Sequence, residues 1–413
     1  MTTRTTHPGD LRLGRDTAGR PYMLRPVDLG QHVFIPGATS TGKTVTIRRL
    51  LSWATAANYG VITIDFKAGG LGEAMRRLAA LRQMPFYTFD LNAPDSLGYN
   101  PCAGPPASVA NKIIGSFDYA GTADIYKQIG MAVVPVIVAA RQGAGLTVGL
   151  ADLHEAFLPN GLNKLAGQVD EPYTSQLRSL EALRGKEVLI QAGYIGLQAR
   201  LDALQQGAFG LLLRAPTVLD WDVVLARPSV AHVALSALAS SEDVELVGRV
   251  LIQDMKQLAA RRILALRQRQ AVPRLFVVID EFASAREGDQ LSAFLLQARE
   301  ARMTIVVGTQ FLPESRALRT ALMGAGLIVA HRVDAEDADL LAAQFGTRPS
   351  TDMTHTFDLG DGTPRSGSVR RSRTFNVSPD DLLNLATGEA AVRAVNRPRP
   401  ERHLIVTVDM EED

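Results

Sequence analysis

One cysteine, Cys102, occurs in 413 residues. A disulfide framework and a cysteine-rich zinc site are therefore excluded, which fits a reducing compartment. Charge of one sign is missing too. Lys and Arg total 44 against 43 Asp and Glu, a formal net charge of +1. No polycation or acidic tail exists, so contact with a nucleic acid would need a local basic patch or a ring of subunits. Long apolar runs are absent. The most apolar stretch, Ile129–Ala140, is 12 residues and contains Pro135, against the roughly 18–20 needed to cross a bilayer. The opening MTTRTTHPGDLRLG has no apolar core of a secretory signal. Seven histidines show no H-E-x-x-H or comparable metal spacing. These absences lead to the expectation of a cytoplasmic chain. Hydrophobic residues, at 46%, supply a sizeable core and exclude global disorder.

What is present divides the chain in four. Residues 1–30 carry turn signals around short apolar patches and read as a hairpin region. Residues 31–100 begin an α/β domain: a short strand at 32–35, a Gly-rich loop, a helix at 45–59 and a second strand at 61–65. Strand, loop, helix and strand within about 30 residues is the βαβ pattern of a parallel sheet. Residues 101–226 show helical spacing punctuated by Gly and Pro, with the last helix expected over 199–213, show no strand alternation, and read as an all-helical insertion. The α/β pattern resumes over 227–413. There the continuous apolar run Leu275–Ile279 ends in Asp280, as a central parallel strand does. The polar, Arg-rich stretch 346–374 reads as loop.

The chemistry sits at strand ends. Gly37, Ala38, Thr39, Ser40, Thr41, Gly42, Lys43 and Thr44 match G-x-x-x-x-G-K-[ST]. Backbone N–H groups of such a loop, with the helix N-terminus behind it, form a phosphate site. Lys43 would reach the β- and γ-phosphates, and Thr44 would place its hydroxyl on Mg²⁺. Asp280 fits an acid that holds Mg²⁺, and Glu281 a general base that activates water. On spacing alone this pair also fits a solvent-facing strand end. Gln310 follows the strand at 304–308, where α/β sheets bind ligands. It reads as a γ-phosphate sensor or as a turn residue. Asp65 and Lys67 cap another strand, next to a nucleotide or in a solvated turn. Arg299 and Arg302 are candidate arginine fingers. Two basic clusters remain. Arg261, Arg262, Arg267 and Arg269 read as a solvated helical face. Arg365, Arg370, Arg371 and Arg373 read as loop residues able to meet phosphates.

The order GATSTGKT, DFKAGG, VVIDEFAS, an arginine-bearing helix and VVGTQ resembles the FtsK/HerA superfamily of hexameric DNA-pumping ATPases. Within it the pattern is most similar to the coupling proteins of conjugative type IV secretion. Asp65-Phe66-Lys67-Ala68-Gly69 corresponds to their DPKGE-like motif, Ile279-Asp280-Glu281-Phe282 to their IDEF, and Gly308-Thr309-Gln310 to their ATQ. Phe66 and Ala68 depart from the usual Pro and Gly. The family's two N-terminal membrane helices are not seen, which implies a soluble relative or one docked on a separate membrane-anchored subunit.

The resemblance implies a RecA-like P-loop ATPase fold, a mostly parallel central sheet and an all-helical domain at 101–226. It implies ATP and Mg²⁺ as cofactors, DNA as a partner, a homo-hexamer, and contact with relaxosome or secretion-channel proteins at the inner membrane. It makes Gln310 a γ-phosphate sensor and Arg299 a finger acting in trans, with Arg302 the alternative. The function it implies is an ATP-driven DNA translocase of conjugative transfer or type IV secretion. The rivals are a protein-secretion ATPase of the same superfamily and a nucleotide-gated assembly adaptor.

Overall fold

The computed structural model describes residues 9–67, 70–119, 124–235, 240–281, 288–357, 364–398 and 402–410. In chain order its strands are β1 (Leu11–Asp16), β2 (Pro21–Leu24), β3 (Val33–Pro36), β4 (Gly60–Asp65), β5 (Phe86–Asp90), β6 (Val230–Ala234), β7 (Leu275–Asp280), β8 (Met303–Thr309), β9 (Leu327–Ala330), β10 (Thr347–Phe357), β11 (Pro364–Phe375), β12 (Glu389–Ala394) and β13 (His403–Val408). The chain divides into two compact units, Met1–Trp53 with Thr304–Asp413, and Ala54–Met303.

The first unit orders its strands β2-β1-β13-β12-β9-β3-β8. At its heart β3 runs parallel to both β8 and β9, with Phe34 opposite Val307 and Ile328. All four residues of β3 are buried, as expected of a parallel strand covered on both faces. From β9 outward the pairing turns antiparallel through β12, β13, β1 and β2. The N-terminal β1–β2 pair is the hairpin that the turn signals imply.

The second unit holds four strands in the order β7-β4-β6-β5, all parallel. Every residue of β4, β6 and β7 is buried. Helices fill the interval between β5 and β6: Pro106–Ile114, Asp124–Gly143, Leu150–Phe157, Gly161–Ala166, Tyr173–Arg184 and Val188–Gln206. One carboxylate anchors this segment. Asp254, on the long helix Ser241–Arg267, accepts hydrogen bonds from Tyr99 Oη (2.8 Å) and Trp221 Nε1 (2.7 Å) and pairs with Lys112 Nζ (2.8 Å). Tyr99 precedes the helices, Lys112 belongs to them and Trp221 follows them. All four side chains are buried, so the charges compensate each other where water cannot. Burial among these groups raises the Tyr99 phenol well above its ordinary range.

Two stretches differ from the sequence expectation. The helix expected from residue 199 begins at Val188. Its early turns contain Gly193 and Gly196, which weaken a helical reading. Yet a Cβ there would lie 2.2 Å from Ile129 Cδ1 and 2.8 Å from Tyr126 Cε2. The glycines let two helices approach closely. The polar stretch 346–374, expected as loop, forms β10 and β11, an antiparallel pair separate from the larger sheets. Its Thr, Ser and Arg residues hide a strand because nothing apolar alternates along it.

Candidate active site

Six residues, Gly37–Gly42, separate β3 from the helix Lys43–Ala56. Gly37 N–H donates to the Thr309 carbonyl (3.1 Å) and Ala38 N–H to the Arg332 carbonyl (2.7 Å), so β8 and the end of β9 pin the loop's start. The loop then turns through Ser40 at φ 60° and Gly42 at φ 117°. At Gly42 only glycine adopts this backbone readily. Thr41 Oγ1 donates back to the Ala38 carbonyl (2.8 Å), and the Thr41 carbonyl accepts from Gly388 N–H (2.9 Å). Lys43 is 6% exposed, and its ammonium donates to the carbonyls of Gly37 (2.6 Å) and Ala38 (3.1 Å). A buried ammonium curled inside a loop of backbone groups is the donor set a polyphosphate requires. Thr44, half-buried, opens the helix beside it.

His331 is the residue of this region that sequence reasoning missed. It follows β9, is fully buried, and lies against the loop. A Cβ on Gly37 would sit 2.6 Å from His331 Cβ, and one on Gly42 3.1 Å from its Cε1. Its Nε2 bonds Thr46 Oγ1 and its Nδ1 the Glu389 carbonyl, both at 2.9 Å. The carbonyl can only accept, so Nδ1 carries the proton and Nε2 accepts from Thr46. Burial, helped by the nearby Lys43 charge, lowers the imidazole to about 4, which keeps it neutral. Its partners stand 285 and 58 residues away, so no local pattern marks it.

After β8, Gln310 is half-buried. The turn behind it is held by Asp337, which accepts from Leu312 N–H (2.8 Å). Burial raises the Asp337 carboxyl above its ordinary range, against the opposing effect of this hydrogen bond.

The acidic residues belong to the second unit. Asp65 and Asp280 are register partners at the ends of β4 and β7, and both are buried. Asp65 Oδ1 accepts from Lys67 N–H (2.9 Å), and Phe66 N–H donates to the Asp280 carbonyl (3.2 Å). Two adjacent carboxylates at strand ends suit a hard cation such as Mg²⁺, which takes one or two protein carboxylates beside phosphate and water. Glu281 follows at φ 61°, a left-handed backbone that costs a non-glycine residue about 1–3 kcal/mol. Its Oε1 lies 3.3 Å from Lys67 Nζ, and Lys67 is half-exposed. The strand-end acids are thus joined by the strand-end lysine. Phe66, a departure from the family pattern, is buried against Gly248 of the long helix, where a Cβ would come within 2.4 Å of its ring. Ala68, Gly69 and Phe282 of the two motifs lie outside the described residues.

The arginines fall elsewhere. Arg299 is exposed and lies just beyond the helix Gly288–Ala298 rather than on it. Arg302 accepts Leu275 N–H on its carbonyl (3.1 Å) and donates from Nη1 to the Val272 carbonyl (3.3 Å). Both mark the start of β7, whereas Asp280 is its end. Neither arginine therefore joins the acids of its own unit. Arg262, expected on a solvated face, is buried and donates to the carbonyls of Ala301 (3.0 Å) and Pro273. Burial lowers its guanidinium to about 10.

Residues 232–404 match the family model of the type IV secretion-system coupling protein DNA-binding domain. Among solved structures, the unbound conjugative coupling protein TrwB aligns at TM-score 0.68 and 16% identity, covering 99% of this chain and 90% of that one. In fold the chain is coupling-protein-like. TrwB in complex with ADP and Mg²⁺ aligns at 0.65 and 15%, covering 99% and 90%. VirB4 of Thermoanaerobacter pseudethanolicus aligns at 0.58 and 15%, covering 99% of each chain. No curated protein sequence matches the chain at a significant level. The coupling-protein-like fold agrees with the expected α/β P-loop architecture, and among the described residues no helix is long and apolar enough to cross a membrane.

Proposed function

We propose that this chain is an ATP-driven DNA translocase of conjugative transfer or type IV secretion, working as a homo-hexameric ring. The observation that carries the reading is the match of 232–404 to a coupling-protein DNA-binding domain. That match lies in a chain whose loop buries Lys43 among backbone carbonyls. TrwB structures with ADP and Mg²⁺ and with a non-hydrolysable ATP analogue support the choice of nucleotide and metal.

In this reading Gly37 to Thr44 bind the phosphates. Lys43 turns its ammonium from the Gly37 and Ala38 carbonyls toward them. Thr44 and Asp280 hold Mg²⁺, which when bound neutralises charge developing on the phosphates. Glu281, released from Lys67, takes a proton from the attacking water on its carboxylate. Gln310 orients toward the γ-phosphate. Arg299, remote from its own unit's acids, serves a neighbouring subunit in trans. Residues 101–226 act as an all-helical domain that meets a relaxosome or channel protein, and a membrane-anchored subunit brings the ring to the inner membrane. Electron micrographs of the Glu281→Gln variant with ATP and DNA test the assembly. Six-membered rings on DNA are expected; monomers at every protein concentration would overturn the ring.

A further inference from the structure

The β10–β11 ribbon is the structure's clearest departure from the sequence reading, and its surface has a use. Gly346, at φ 76°, and Asn376 anchor its base. Asn376 N–H donates to the Gly346 carbonyl and its Nδ2 to the Phe345 carbonyl, both at 2.9 Å. Beyond that base, among the described residues, β10 and β11 pair only with each other. A lone two-stranded ribbon buries little and is marginal without a partner.

Alternation puts Val369, Arg371, Arg373 and Phe375 on one face of β11. Arg371 and Arg373 are exposed, as are Val369 (68%) and Phe375 (41%). Their register partners are Met353, Thr351, Pro349 and Thr347, none of them acidic. The acidic residue of the two strands, Asp352, pairs instead with Arg370. One face of the ribbon therefore concentrates positive charge, hydroxyls and exposed apolar surface. Arg373 donates from Nε to Thr347 Oγ1 (2.7 Å) and from Nη2 to the Thr347 carbonyl (3.3 Å). This fixes the guanidinium while leaving others of its five N–H donors to a ligand.

We propose that this face, with Arg371 and Arg373, binds the phosphodiester backbone of DNA. Residues two apart on a strand are roughly 6.8 Å apart, the rise along the helix axis of two nucleotides of one DNA strand at 3.4 Å each. Guanidinium matches phosphate geometry better than ammonium does, and threonine hydroxyls are common phosphate partners. A two-stranded ribbon also has the width to enter a major groove. The ribbon lies inside the residues that match a DNA-binding domain. The inference rests on the DNA-translocase reading and adds the surface.

The test is DNA affinity of the full-length protein against salt, read by anisotropy with a labelled single-stranded oligonucleotide and with its duplex. Arg371→Ala with Arg373→Ala should flatten the log–log salt slope by about 1.5, two phosphate contacts at 0.7–0.9 each. Arg371→Lys with Arg373→Lys should restore most of the slope, because lysine keeps the charge but loses the bonds to Thr347. A double alanine variant with the wild-type slope overturns this inference alone. The same follows if the lysine variant is as flat as the alanine variant, since the effect would then be structural. Wild-type protein that binds neither probe at low salt overturns the translocase reading as well.

Discussion

Lys43, at the start of a helix in one unit, and Lys67, just past the end of β4 in the other, are held in opposite ways. Lys43 is buried and tied to two backbone carbonyls inside a loop that a neutral histidine braces. Lys67 is half-exposed and tied to one carboxylate, Glu281. The first arrangement is dry, main-chain and rigid. The second is wet, side-chain and adjustable, and it ends on a strained Glu281 backbone. Under the proposed mechanism, the difference means that the phosphate grip is built in advance, while the base is placed by a contact that a ligand can exchange.

Breaking the rigid side should cost most. Lys43→Ala is expected to remove ATP turnover and weaken nucleotide binding together, measured by phosphate release and by fluorescent-nucleotide titration. On the adjustable side, Glu281→Gln keeps the shape of the side chain but removes the base. Turnover should fall 10²–10⁴-fold while nucleotide binding persists. A variant that loses binding to the same degree would place Glu281 in the grip instead.

His331 sharpens the contrast through pH. Its folded value is about 4 against 6.5 in an unfolded chain, so the unfolded state takes up the proton first as pH falls. Its neutral burial leaves full stability above about pH 6.5. That stability is lost progressively toward pH 4 and falls no further below it, a loss of about 3 kcal/mol from this group. His331→Gln, which does not titrate, should melt with a smaller drop between pH 7.5 and pH 4.5 than the wild type. Equal drops would contradict the assignment.

The smallest effect belongs to Lys67→Met. An ion pair this exposed contributes at most about 1 kcal/mol of stability, so the melting temperature should barely move. Turnover, in contrast, should change by several-fold because Lys67 no longer holds Glu281. If neither changes, the Lys67–Glu281 contact has no part in placing the base.

How much of this was legible in the chain follows the same divide. The loop at 37–44 could be read because its glycines, lysine and threonine stand at set spacing. β4 and β7 could be read because strands covered on both faces are unbroken apolar runs. What escaped depends on distant partners. His331 reaches Thr46 across 285 residues, and Asp254 gathers Tyr99, Lys112 and Trp221 from three places. Arg262 looked like one of several surface arginines until the carbonyls of Ala301 and Pro273 closed on it. The β10–β11 ribbon escaped for another reason: its strands pair through their backbones, none of their described side chains is buried, and no apolar period marks them. Even the lysine contrast was hidden, since burial of Lys43 and exposure of Lys67 depend on what packs beside each.

The most direct test of the whole account is steady-state ATP hydrolysis by the purified protein, with and without DNA, beside Lys43→Ala. The account predicts turnover that DNA raises and that the alanine variant abolishes in both conditions. Turnover that is unchanged by DNA and equal in wild type and Lys43→Ala would contradict it.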